Sequence, residues 1–179
     1  MKNTKNPGSP DTTGRAVLLR ALRHDVERPI FAPPDAAMPG TMPMKDAAAA
    51  VAAARAFAAA SGQASVVLLT EDAEEAIAQA AADRIPVVFC VLSEGANVAP
   101  TRWSAHIQQP EQLALLLPRG ISAALASCPG PVRLRIDPAL LDAPVEAFSF
   151  PPPPPRPLPY RADPSCSDPS CSDPSCSDP

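Results

Sequence analysis

The sequence predicts an α/β domain with a mixed sheet of four or five strands. Three observations carry this. Residues 65–69 (SVVLL) and 85–92 (IPVVFCVL) are short apolar runs rich in β-branched residues. Residues 71–84 between them (EDAEEAIAQAAADR) have helical spacing and no proline or glycine. Strands that are apolar throughout, joined by a helix, are the pattern of a β-α-β unit whose strands are buried on both faces.

The 179 residues favour one domain with extensions, placed at residues 15–147, with residues 1–14 and 148–179 outside it. Apolar residues make up 46% of the chain, enough for a core, but much of that share is alanine and only 4% is aromatic, so the layers should pack closely. No apolar run reaches the length of a membrane span. The start, MKNTKNPGSPDTTG, has no apolar h-region, which argues against a secretory signal peptide. Charge is uneven: +3 over residues 1–30, −5 over 31–150 and −2 over 151–179. An acidic middle argues against nucleic acid as a partner. Five cysteines without framework spacing point to a reducing cytoplasm, with secretion independent of a Sec signal as the alternative.

Residues 1–13 are polar and expected to be disordered. Residues 15–28 form a short basic helix with Val17 or Leu18, Leu22 and Val26 on one stripe. A packed first helix with a solvated basic face accounts for it; a membrane surface or partner groove is the alternative. Pro29 ends it, and four prolines between residues 33 and 43 predict a loop. Residues 44–61 predict an alanine-rich helix closed by Gly62 at the left-handed C′ position. After the strand at 65–69, Thr70 is the expected N-cap of the next helix, with Glu71 and Asp72 in its first turn. Pro86 restricts the second strand to an edge or to a start at that residue.

Residues 103–108 predict a third, shorter strand. Pro110 opens a helix over EQLALLL that Pro118 and Gly120 are expected to end. Residues 121–126 then read as a strand, and VRLRI at 132–136 as its hairpin partner, with Val132, Leu134 and Ile136 inward and Arg133 and Arg135 in solvent. Asp137 caps a last helical turn with Pro138 at its first position.

From Phe150 the chain reads FPPPPPRPLPYRA, then three copies of DPSCS and a final DP; eleven of its 26 prolines lie there, so a polyproline II segment and a disordered repeat are expected. Phe150 with Pro151–Pro154 has the form of an EVH1 ligand, and Pro151, Pro154 and Arg156 the spacing of an SH3 ligand. These four residues are candidate partner contacts; a spacer is the plainer role. Cys166, Cys171 and Cys176 recur every five residues, wider than the pairs a structural zinc site uses.

No dinucleotide fingerprint, Walker A motif or nucleophile elbow is present, and neither His24 nor His106 has a ligand-spaced neighbour. The turn after the first strand of the unit is acidic (TEDAEE) and would repel a phosphate. Glu71 and Asp72 could hold a divalent cation there, although a solvated helix start explains them equally. No cofactor and no catalytic residue is indicated.

The stretches VVLLTEDAEEAIAQAA and PEQLALLLPRGISAALASCPGPVRLRIDPALL resemble the N-terminal domain of SseB-like bacterial proteins across residues 64–142. Shared features are a strand, a Thr-Glu helix start, a leucine-rich helix ending in Pro-x-Gly, and a closing strand with a Pro-Ala-Leu turn. The aromatic before the Thr is missing, and Ser-Cys-Pro-Gly stands where Asn-Pro-Gly is usual. The resemblance implies a small α/β domain with no known enzymatic role, in a family linked by name to serine sensitivity and type III secretion. The Ala/Pro-rich, Lys-poor composition fits a GC-rich bacterial genome. Three functions follow: a non-enzymatic, secretion-related protein-interaction or accessory protein; a small ligand- or metal-binding enzyme using the strand ends around Thr70, Glu71, Asp72, Ser93 and Glu94; or a secreted effector with an unstructured polar N-terminus, which fits the first 13 residues equally well.

Overall fold

A computed structural model describes residues 13–24, 28–93 and 100–145. The expectations for residues 1–12, for Val26 and for the proline-rich and DPSCS segments lie outside the described residues.

Six strands form one sheet. They are β1 (Ile30–Ala32), β2 (Met42–Pro43), β3 (Ser65–Leu69), β4 (Val87–Val91), β5 (Trp103–Ile107) and β6 (Val132–Ile136). Their order is β2-β1-β3-β4-β6-β5, and every neighbouring pair is parallel. The α/β class is as expected. The mixed sheet of four or five strands is corrected to a parallel sheet of six.

The helices are α1 (Gly14–His24), α2 (Ala47–Ser61), α3 (Glu74–Ala82) and α4 (Pro110–Ala124). Crossovers between parallel strands are right-handed. The chain moves one way along the sheet from β3 to β4 and the opposite way from β5 to β6. That reversal places α3 and α4 on opposite faces. Val66, Leu68, Val88, Cys90, Val132, Leu134 and Ile136 pack in one layer with α1 and α4. Val67, Leu69, Val87, Phe89 and Val91 pack in the other with α2 and α3. Burial on both faces explains why β3 and β4 carry no alternation.

Small side chains let α2 lie close to the sheet, with Ala50, Ala54 and Ala58 buried at four-residue spacing. The Asp46 side chain accepts a hydrogen bond from the Ala49 amide, and Gly62 takes the left-handed conformation expected of it, with φ of 66°. The proline-rich loop holds more structure than its composition predicts. β1 and the two-residue β2 both lie in it, because the prolines flank β1 and Pro43 sits on an edge strand, where a missing donor costs no ladder bond.

Two further corrections concern the C-terminal half. α4 continues through Pro118 and Gly120, so residues 121–126 are not a strand. The apolar positions Leu113, Leu117, Ile121 and Ala124 keep one buried stripe across the proline, and tertiary packing outweighs the lost hydrogen bond. Gly120 has a packing reason: a Cβ there would lie 3.2 Å from Val132 and 3.3 Å from Trp103. β6 is not one arm of a hairpin. It is inserted between β4 and β5, with all five of its residues buried.

α1 confirms the packed first helix: Val17, Leu18 and Leu22 are buried. Its first turn is tied to the end of the fold. The Gly14 amide donates to the Ala143 carbonyl at 3.0 Å, and Thr13 bridges Pro144. The expected turn at 137–138 is a 3-10 turn, Pro138–Leu141, with Asp137 accepting from the Ala139 amide. A Cβ on Gly14 would overlap the Leu140 carbonyl. Gly14→Ala is therefore expected to destabilise the protein by about 1–3 kcal/mol through overpacking, read as a lowered urea midpoint. An unchanged midpoint would mean that α1 is not docked here.

Candidate functional site

β6 carries two arginines on the sheet face that α2 and α3 cover elsewhere. Val132, Leu134 and Ile136 point to the α1/α4 layer, so Arg133 and Arg135 point the other way. Both are buried, Arg133 completely. The expectation that they face solvent is thus overturned. A buried guanidinium without partners costs several kcal/mol, so carboxylates must be supplied.

They come from the β3–α3 turn. Thr70 does not cap α3, which begins at Glu74 with Ala73 as its N-cap residue. The intervening turn carries Asp72 across the sheet. One Arg133 Nη donates to Asp72 Oδ1 and the other to Glu74 Oε1 at 2.8 Å, while Arg135 Nη2 donates to Asp72 Oδ2 at 3.0 Å. β3 and β6 are two strand spacings apart, about 10 Å. Arginine is long enough to bridge that gap while its stem covers apolar surface. Asp72 thus uses each oxygen on a different arginine, and two cations meet two anions.

Of the two residues weighed for a divalent cation, both are exposed, and Asp72 is engaged by both arginines. Among the described residues no group of three or more His, Cys, Asp or Glu side chains is placed to hold a metal ion. Thr70 instead donates to Asp35, which follows β1. The chain leaves β1 and β3 in opposite directions, so this pair marks the crevice where ligands enter open α/β sheets. Ser93 lies just past β4, and its buried hydroxyl has no hydrogen-bond partner among the described residues. Glu94, Phe150, Pro151, Pro154, Arg156 and the three tail cysteines lie outside the described residues.

Cys90 packs in the core, and burial pushes its thiol up to about 12. It remains a neutral, unreactive thiol across the physiological range. His106, one of the two histidines of the chain, stands exposed on β5.

β5 forms one border of the sheet. Trp103, Ala105 and Ile107 pack toward the α1/α4 layer, while Ser104 and His106 are exposed on the opposite face. The Ile107 carbonyl accepts from the Asp137 amide at 3.2 Å, so Ile107 directs its main chain toward β6. Main-chain groups alternate along a strand, and those of Ser104 and His106 therefore point outward from the sheet. Neither residue is Lys, Arg, Asp or Glu, and neither is proline. The opposite border, β2, has only two residues and ends in Pro43. Beside β5, Arg119 of α4 stacks over Trp103 at 5.7 Å, and Leu115 is 60% exposed on the side of α4 away from the sheet.

A comparison with protein-family models gives no match, and a search of curated proteins gives none either.

The missed residues are Arg133 and Arg135. A pair of arginines alternating in an apolar strand, together with an acidic turn, was the available signal. Asp72→Asn is expected to cost about 3–5 kcal/mol, because it strips a counter-ion from a fully buried cation. Arg133→Met should cost less, since the carboxylates it frees are partly exposed and can hydrate. Urea unfolding of the two variants checks the order, and a reversed order would mean that Asp72 is not the principal counter-ion.

Proposed function

We propose that the chain is a non-enzymatic protein-interaction or accessory protein of the bacterial cytoplasm that binds its partner along the β5 edge and the adjoining flank of α4. The observation that carries this is an edge strand with outward main-chain groups and, among the described residues, none of the usual defences. Natural edge strands are shielded by charge, proline, a bulge or brevity. β2 is short and holds proline; β5 is five residues long, proline-free and without Lys, Arg, Asp or Glu. The half-buried Trp103 and Leu116 extend the strip with apolar surface.

The charged groups at the strand ends support the non-enzymatic reading from the other side. Asp72 and Glu74 meet Arg133 and Arg135, so neither carboxylate stands ready as a lone acid or base. The reading extends the resemblance to SseB-like N-terminal domains, and a secretion-related role is its more specific form. The proline segment with Phe150, Pro151, Pro154 and Arg156 is a second candidate contact. One observation favours the alternative of a small ligand-binding enzyme: the Thr70–Asp35 pair in the crevice between β1 and β3.

Affinity capture from a native bacterial lysate tests the proposal, with three baits: the full chain, a full-chain Ser104→Lys/His106→Lys variant and a form ending at Phe148. Both substituted positions are exposed, so the fold should be kept. Loss of the partner with the lysines is the expected result. Retention by the lysine variant with loss on truncation would move the function to the tail. No partner with any bait, combined with a ligand-induced rise in Tm, would favour the crevice reading.

A further inference from the structure

We infer that the partner at the β5 edge is a second copy of this chain, paired antiparallel about a two-fold axis through Ala105, which makes a continuous twelve-stranded sheet. The inference rests on the interaction reading above and names its occupant.

The register follows from the backbone. Ser104 and His106 are the residues whose N–H and C=O point outward. Two strands related by a two-fold axis at Ala105 place Ser104 opposite His106 of the copy, and His106 opposite Ser104. Each such pair exchanges two main-chain hydrogen bonds. The ladder has natural ends. The Arg102 amide donates to Pro131 of the neighbouring segment, and the Gln108 amide donates to Gln112 Oε1, so neither amide is left to extend the pairing.

Side chains agree with that register. Trp103 falls opposite Ile107 of the copy on the α1/α4 face, an aromatic beside a β-branched residue. Ser104 and His106 meet on the other face as polar groups, with no Lys, Arg, Asp or Glu between them. No like charges face each other, which is the usual obstacle to self-pairing.

The helices fit as well. α4 packs over β5 and β6, with a smaller contact to β4. With strands about 4.8 Å apart, joining β5 to its copy brings the two α4 axes to no closer than about 10 Å, the top of the range for packed helices. Gly120 sits above Trp103. Ala105 is two strand residues farther along, about 6.6 Å, which is about four helix residues back from Gly120. That is the level of Leu116, beside the exposed Leu115. The flank of α4 toward the open edge is marked by Arg119 over Trp103, and on 3.6-residue spacing it also presents Leu116 and Ala123, both only partly buried. A second copy would bring Leu116 against Leu116 at the axis.

Sedimentation equilibrium of the full chain under reducing conditions tests this. The wild type is expected to be a dimer. Ser104→Lys/His106→Lys sets lysine against lysine in both pairs and should weaken the dimer more than tenfold. Ser104→Asp/His106→Lys sets aspartate against lysine in both pairs and should restore it. A wild type that stays monomeric to millimolar concentration would overturn the inference, as would a lysine variant that dimerises like the wild type or a charge-paired variant that does not recover. A monomeric wild type whose captured partner is still lost with the lysines would sink the second copy alone and leave the interaction reading standing.

Discussion

The right-handed crossover is the constraint on which the rest of this structure depends. The chain steps from β3 to β4 through α3 and returns from β5 to β6 through α4. Because the steps run in opposite directions, the helices fall on opposite faces. β6 therefore has α4 on one side only. Its residues on the other side lie beyond the apolar layer of α2 and α3, and there the sequence places Arg133 and Arg135. The β3–α3 turn closes over them with Asp72 and Glu74. The charge cluster is thus a consequence of topology as much as of composition.

The same topology leaves β5 at the border. Its inner face joins the core through Ile107, while Ser104 and His106 stay in solvent. One half of the sheet is closed by a short edge with proline, and the other ends in a strand without Lys, Arg, Asp or Glu, flanked by the half-buried Leu116. The carboxylates of the β3–α3 turn are paired with arginines, and the outward main-chain groups of Ser104 and His106 lie at the border of the sheet. That contrast is what the proposed protein-interaction function rests on.

Much of this was legible in the sequence. β3, β4 and β5, α2 with its Gly62 cap, and the Asp137–Pro138 turn all lie where apolar runs and cap residues put them. β1 and β2 were hidden because a loop with four prolines excludes strands only where the prolines interrupt a ladder, and here they do not. α4 was cut short because Pro118 and Gly120 are local stop signals, whereas the stripe through Leu117, Ile121 and Ala124 is set by the sheet beneath. VRLRI misled for another reason. A strand with alternating arginines has the pattern of a half-exposed strand whether water or a carboxylate receives the charge. The acidic turn was visible, but the pairing across two strands depends on β6 entering the sheet between β4 and β5, which no local pattern records.

The claim that the β3–α3 turn holds β6 through opposed charges is tested most directly by a double-mutant cycle of Asp72→Asn and Arg133→Met, with stabilities from urea unfolding. Residues in direct contact within one network couple by about 0.5–3 kcal/mol, and this buried pair should fall in the upper half of that range. Additivity within about 0.5 kcal/mol would contradict the account, because it would mean that the buried arginine is held by something other than Asp72.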